Sequence, residues 1–289
     1  MSVELRHVRC VLSVAKHLHF SRAAEELGIA PPALTRQIQE AERLLGARMF
    51  HRTKRSVALT AAGVAYLSEA SAALDHLTRG AERAALAERG ELGRIEIGYV
   101  GSAVYSGVLQ ATVREFRAKF PRVEIGIGEI VMREAGALLA EGRIDIAYVR
   151  PPVPQPEGIA ARTVHRDAFI VALPADSALC ASETITPAQL RGQSFVVPEQ
   201  ESGTLEVARR GRFTPNIVGQ PGTLAAVLAH VSLGGDVSIV PRSLAQCVAV
   251  PGVEYREIAG RPVASEVAML YRRFEKAPAV RAFLEFSAS

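Results

Sequence analysis

The chain has 289 residues, enough for two or three domains with cores of their own. Its 48% hydrophobic and 22% charged content is ordinary for a globular protein, which argues against a disordered or fibrous chain. No apolar run is long enough to span a bilayer, so no membrane partner is expected. The start MSVELRHVRC carries charges where a secretory signal would be apolar, so a reducing cytoplasm is the expected compartment.

The net charge of +4 is spread unevenly. Residues 1–60 hold ten Lys/Arg and five Asp/Glu, while the remainder is slightly acidic. A positive excess confined to one end is the electrostatic footprint of a nucleic-acid contact.

In residues 4–18, Leu5, Val8, Leu12 and Ala15 share a helical face. Ser21 is the expected N-cap of a short second helix with Ala23, Ala24 and Leu27 inward, and Gly28 breaks it. Pro31 and Pro32 are tolerated only near a helix start, so a third helix begins there and runs through Leu34, Ile38 and Leu45 to Gly46. Arg52 to Thr60 reads as a short basic hairpin. Helix, tight turn, helix and hairpin together predict a winged helix-turn-helix, a device that reads the DNA major groove.

Thr60 caps a long helix, with Leu59 and Val64 at the spacing of a hydrophobic staple. Leu67, Ala70, Leu74, Leu77, Ala81 and Ala84 recur along it by threes and fours. That is coiled-coil spacing and predicts pairing with a second copy; packing on its own domain is the alternative. Gly90 and Gly93 bracket a hinge.

From Arg94 the period becomes two. Ile95, Ile97 and Tyr99 predict a strand, Val104 to Phe120 a helix, and Val123, Ile125 and Ile127 a second strand. Arg133 to Glu141 predicts a helix and Ile144 to Val149 a third strand, a βαβαβ order that implies a parallel sheet. A loop, PPVPQP, follows at 151–156. Strands near Phe169–Leu173, Ser194–Val197, Ile217–Gly219 and Val237–Val240 alternate with helices at Leu205–Gly211 and Thr223–Leu233, which predicts a second α/β lobe.

The segments LRHVRCVLSVA, HFSRAAEELGIA, LTRQI, LLGARMF and RTKRSVALTAAG resemble the DNA-binding domain of LysR-type transcriptional regulators. GYVGSAVYSGVLQ, EFRAKFPRVEI, EGRIDIAYVR and GGDVSIVPRSL stand where that family has its effector domain. HFSRAA and RTKR look closest to the branch that responds to aromatic acids and their ring-cleavage products. The resemblance implies a multidomain chain with an all-α winged helix-turn-helix N-terminal domain, a long linker helix and an α/β two-lobed effector domain like a periplasmic binding protein. The expected boundaries are 1–60, 61–92 and 93–289, with lobe I at about 93–165 and 266–289 and lobe II at about 166–265. It implies as partners double-stranded promoter DNA, a small organic effector, RNA polymerase and a second copy in a dimer or tetramer.

On the third helix Thr35, Arg36 and Gln39 are the expected base and phosphate readers. Arg52, Lys54 and Arg55 on the wing are expected at phosphates or in the minor groove, and Ser21 and Arg22 at a phosphate. The family commonly has Gln where this chain has Pro31, so a base-reading amide is replaced by a stiff entry to the helix before Pro32. In the effector domain Ser102, following Gly101 at a strand end, is the first candidate, for an effector carboxylate. Pro198 and Glu199, at another strand end, match a position that lines the cleft in the family the chain resembles, Gln200 joins them, and Thr223 opens a second-lobe helix across the cleft. Met132 stands where relatives that bind aromatic carboxylates often have Thr or Ser, so it adds apolar bulk in place of a hydroxyl. Arg150 at a strand end reads as an ion pair between lobes, a solvated end or an anion contact.

Other classes are weaker. No GxSxG, P-loop or Rossmann fingerprint is present, and the histidines have no metal spacing, so no catalytic, cofactor or metal site is expected. A redox sensor would need Cys180 and Cys247 to meet, and neither has a basic sequence neighbour. The third cysteine, Cys10, makes no CxxC with either. A solute-binding protein would need a secretory signal and no DNA-binding domain.

Overall fold

Leu5–His17 (α1), Phe20–Glu26 (α2) and Pro31–Leu45 (α3) cross around a core of Cys10, Val11, Val14, Ala23, Ala24, Leu34, Ile38 and Ala41. The computed structural model describes residues 3–53 and 56–288 and divides the chain into two compact units, Met1–Ala85 and Leu86–Ser289. Ala23 and Ala24 are buried, so small side chains leave room for close helix crossing. The inward face of α1 is His7, Cys10, Val11, Ser13 and Val14. The expected face is therefore rotated, and Leu5 remains 41% exposed. The N-cap of α2 is His19, whose ring nitrogen accepts from the Arg22 backbone N–H at 3.4 Å. Ser21 lies inside the helix, which corrects the expected cap.

Pro31 and Pro32 occupy the first turn of α3, where a missing N–H costs nothing, and Gly46 closes it with φ +66°. Phe50–Arg52 (β1) and Val57–Leu59 (β2) form the antiparallel wing. Glu42 of α3 fastens it: its carboxylate accepts from the Met49 and Phe50 N–H groups at 2.9 and 3.3 Å and from Arg52 at 3.0 Å. Ala61–Glu88 is α4. The Thr60 hydroxyl caps it, accepting from the Gly63 N–H at 2.8 Å and donating to the Arg48 carbonyl at 2.6 Å. Val64 is 59% exposed, so the expected staple with Leu59 buries little. Of the predicted stripe only Ala70 is buried, and Leu77 is 57% exposed.

In the second unit Gly93–Tyr99 (β3) pairs in parallel with Val123–Glu129 (β4) and Ile146–Val149 (β5). The helix expected over Val104–Phe120 is two pieces, Gly101–Val104 (α5) and Val108–Lys119 (α6), because the chain turns through Gly107 at φ +74°. Ala135–Ala140 is α7, preceded by a 3₁₀ turn at Met132–Glu134. The sheet is mixed, not purely parallel. Ile159–Pro174 (β6) is one strand of 16 residues, of which the sequence pattern reveals only the buried end. It runs antiparallel to Val263–Arg272 (β12), which in turn pairs antiparallel with β5. Thr184–Ile185 (β7), Ser194–Pro198 (β8), Asn216–Gly222 (β9), Asp236–Pro241 (β10) and Val253–Ile258 (β11) complete the strands, with Ser202–Gly211 (α8), Leu224–Ser232 (α9), Arg242–Ala245 (α10) and Pro278–Phe286 (α11). The strand path is β4-β3-β5-β12-β6-β10-β8-β9, with β11 beside β6. Thus β6 and β12 join the parallel cores of the two lobes, and two strands, not a flexible linker, cross between them.

Candidate functional site

Burying Leu34, Ile38 and Ala41 turns the opposite side of α3 outward. Arg36 and Gln39 are exposed on that side with Pro32, and Thr35 is half-buried beside them. The Thr35 hydroxyl donates to the Pro31 carbonyl at 3.1 Å, which leaves its methyl and oxygen lone pairs as readers. Arg36 makes no ion pair among the described residues, as a side chain held ready for a base or phosphate requires. Ser21 and Arg22 are exposed on α2, but the Arg22 N–H is already taken by His19. Arg52 is committed inward: it pairs with Glu42 and its guanidinium lies 4.7 Å from the centre of the Phe20 ring. It braces the wing. Lys54 and Arg55 lie outside the described residues. Sequence reasoning missed Glu42, which stands in the last turns of α3 two residues after Glu40, and no local signal separates the two acids.

In the second unit the strand ends β3, β4, β5 and β8 and the start of α9 border a cavity of about 870 Å³. Its lining includes all six residues nominated from the sequence: Ser102, Met132, Pro198, Glu199, Gln200 and Thr223. Their roles differ. Ser102 is the second residue of α5, and its carbonyl accepts from Arg150 at 3.1 and 3.2 Å. Met132 is buried, and its backbone N–H donates to Glu199 at 3.3 Å. The Gln200 amide donates to the Arg150 carbonyl at 2.9 Å. Thr223 caps α9, accepting from the Ala226 N–H at 3.2 Å. Pro198 ends β8. Tyr99, Tyr105, Glu129 and Phe169, which the sequence did not single out, are on the same lining.

Arg150 is 2% exposed and bolts four elements together. It reaches Asp167 of β6 at 3.3 Å, Ser243 of α10 at 3.1 Å and Ser265 of β12 at 2.8 Å, besides Ser102 of α5. Burial pushes the Arg150 guanidinium below its usual range, and the Asp167 charge partly restores it. Asp167 accepts in addition from the Ser243 hydroxyl at 2.7 Å. This is the ion-pair reading of Arg150, and its charge is neutralised within the protein.

A helix-turn-helix unit with a bare recognition face, followed by a two-lobed unit with a central cavity, defines a ligand-responsive DNA-binding regulator. Residues 5–64 match the family model for the bacterial regulatory helix-turn-helix protein, lysR family, and residues 88–289 match the LysR substrate binding domain. The chain is 33% identical to the HTH-type transcriptional regulator AlsR of Bacillus subtilis, over 99% of its own length and 95% of that protein. It is 34% identical to the uncharacterised regulator YnfL of Escherichia coli, over 98% and 97%. The LysR family regulator CbnR superposes with TM-score 0.85 at 25% identity, covering 98% and 99% of the two chains. CbnR complexed with its target DNA superposes with TM-score 0.86 at 26% identity, covering 99% and 100%. This chain belongs to the LysR family of transcriptional regulators. The relatives are regulators and not enzymes. No helix among the described residues is long and apolar enough to cross a membrane.

Proposed function

We propose that this regulator senses a small organic molecule in the cavity of its second unit and converts occupancy into altered promoter binding in the cytoplasm. The observation that carries this reading is the convergence of Ser102, Met132, Pro198, Glu199, Gln200 and Thr223 on one cavity from four separate stretches of chain. Tyr99, Tyr105 and Phe169 suit a flat apolar body. The aromatic-acid class itself rests on the resemblance alone. Pro31, Pro32, Thr35, Arg36 and Gln39 meet the major groove, with Ser21, Arg22, Lys54 and Arg55 at the flanking phosphates. The apolar stripe on α4 pairs two copies, so that two recognition helices address two half-sites, as a dimer or as a dimer of dimers. RNA polymerase is the downstream partner. Coupling requires that the effector bind one arrangement better than the other.

A redox reading has less support, because burial pushes the Cys180 thiol up and away from the reactive thiolate. The test is thermal unfolding of the full-length protein, wild type and Ser102→Trp, against a panel of small organic molecules. A ligand of the folded state raises the wild-type Tm by mass action, and filling the cavity abolishes that rise. A rise that survives Ser102→Trp removes the cavity from the reading.

A further inference from the structure

The charges around the cavity do not balance, and the imbalance has a sign. Arg150 is neutralised by Asp167, and its guanidinium bonds go to Ser102, Ser243 and Ser265. Arg133 is a rim residue whose side chain is 74% exposed, 4.0 Å from Glu134. Water therefore screens it. Two carboxylates remain. Glu129, at the end of β4, makes no hydrogen bond or ion pair through its side chain among the described residues. It lies over Gly101, where a Cβ would meet its Oε1 at 2.7 Å, so the protein's own carboxylate already covers the start of α5. It also faces Tyr105: burial first, and then the Glu129 charge, push that phenol up. Glu199 is held through Oε2 by the Met132 N–H, while its Oε1 is sealed from solvent with no partner. An unmet buried acceptor of this kind marks a place where a donor belongs.

The features that favour an anion are smaller. A helix N-terminus contributes at most about half a positive charge. Helix α5 has only four residues, which is too few for a full dipole, and one N–H at the start of α9 is already taken by Thr223. Glu129 is exposed at the rim, as Arg133 is, and water screens both; Glu199, with one oxygen buried and unpartnered, tips the balance over these. We propose that the cavity selects a donor-rich nitrogenous molecule, an amine, amidine or amide, over an organic acid, with Glu129 and Glu199 as the residues that read its nitrogen. This rests on the cavity being the sensor site. It departs from the carboxylate expected at Ser102, because Glu129 stands over that helix start.

The test uses three probes of one shape and different charge: benzamidinium, benzamide and benzoate. Each is titrated against the full-length wild type, Glu129→Gln, Glu199→Gln and the cavity-filling Ser102→Trp, with Tm as readout. In the wild type the expected shift is largest for benzamidinium, smaller for benzamide and least for benzoate. Either Gln variant narrows the gap between cation and anion, and Ser102→Trp abolishes all shifts. Glu199→Gln without any probe is expected to raise the Tm, because a charged oxygen without a partner is replaced by a neutral amide. This last readout needs no ligand. Benzoate shifts equal to or larger than those of benzamidinium, lost in Ser102→Trp, overturn the charge selection and leave the cavity as sensor. Shifts indifferent to Ser102→Trp, or no shift with any probe, overturn the sensor reading and this inference with it.

Discussion

At the scale of single residues, the decisive property is whether a charge is already spoken for. Arg36 has no partner among the described residues, whereas Arg52 is held by Glu42 and Phe20. Arg36→Ala is expected to weaken binding to an operator selected from random duplexes by roughly tenfold, within the range of about 1–3 kcal/mol for a bidentate base contact. Equal affinity in a mobility-shift titration removes Arg36 from the readers. Asp167→Ala leaves the Arg150 charge buried and unpaired, a loss on the order of 3–5 kcal/mol. Replacing the pair together, Arg150→Met with Asp167→Leu, recovers most of it in denaturant unfolding. A small effect of Asp167→Ala would mean that the serines alone satisfy the guanidinium. Glu26 adds a pH dependence. Bonds from Lys16 and then Ser13 hold its carboxyl down to about 2, against an ordinary value of 4.5. A depressed carboxylate stabilises the fold above its unfolded value and loses that contribution as pH falls through the folded value. The first unit should therefore weaken in acid between about pH 4.5 and 2, with solvent exposure keeping the effect modest. Glu26→Gln flattens that part of the acid unfolding curve, and an unchanged curve would assign the acid limb to other groups.

At the scale of elements, short sequence signals located the ends of α3 and the start of α4 well, but not the break between α5 and α6, the helices α10 and α11 or the long strands. Pro31, Gly46 and Thr60 each mark an end that the backbone obeys. The junction of wing and α4 is tighter than the sequence suggests. A Cβ on Gly63 would meet the Met49 carbonyl at 2.2 Å. Gly63→Ala is therefore expected to destabilise the first unit by about 1–3 kcal/mol, despite the higher helix propensity of alanine. A stabilised Gly63→Ala in thermal unfolding would show that the junction yields. By contrast β6 stayed hidden, because its first half alternates in burial and carries Arg162, His165 and Arg166. Only Phe169–Leu173, within its fully buried last seven residues, reads as a strand. The one-position error on α1 has a similar cause. His7 and Ser13 are buried by bonds to Glu4, Ala23 and Glu26, which hydropathy does not register.

At the scale of the whole molecule, the charge map assigns the roles. Residues 1–60 carry the positive excess and the remainder is slightly acidic. Duplex affinity is therefore expected to fall steeply with salt, with a log–log slope of about −0.9 per neutralised phosphate. That slope should flatten by about 0.9 for each charge removed at Arg22, Lys54 and Arg55, and be kept in variants of surface arginines beyond residue 90. A slope set equally by both regions would contradict a DNA contact confined to the first unit. The stripe on α4 has one buried member, so its exposed Leu77 needs a cover that the described residues of this chain do not provide. Leu77→Glu is expected to shift the sedimentation of the full-length protein toward monomer. Unchanged sedimentation would leave the stripe as a solvated face.

The sequence by itself determined the helix-turn-helix and the βαβ order of the lobes, and its resemblance to the LysR family carried the family and the six nominated residues. The first two depend on local causes: proline and glycine at helix ends, and hydrophobic period. Tertiary structure alone decided what each charge does. Arg52 reads in the chain as a phosphate ligand and Arg150 as an ion pair, a solvated end or an anion contact; the fold supplies the partner of each, Glu42 and Asp167. Glu129 looks like an ordinary surface acid, and nothing in the chain says that it shares a cavity with Glu199; the fold brings the two together. Pairing of charges is a property of distances through space, and a sequence records only distances along the chain.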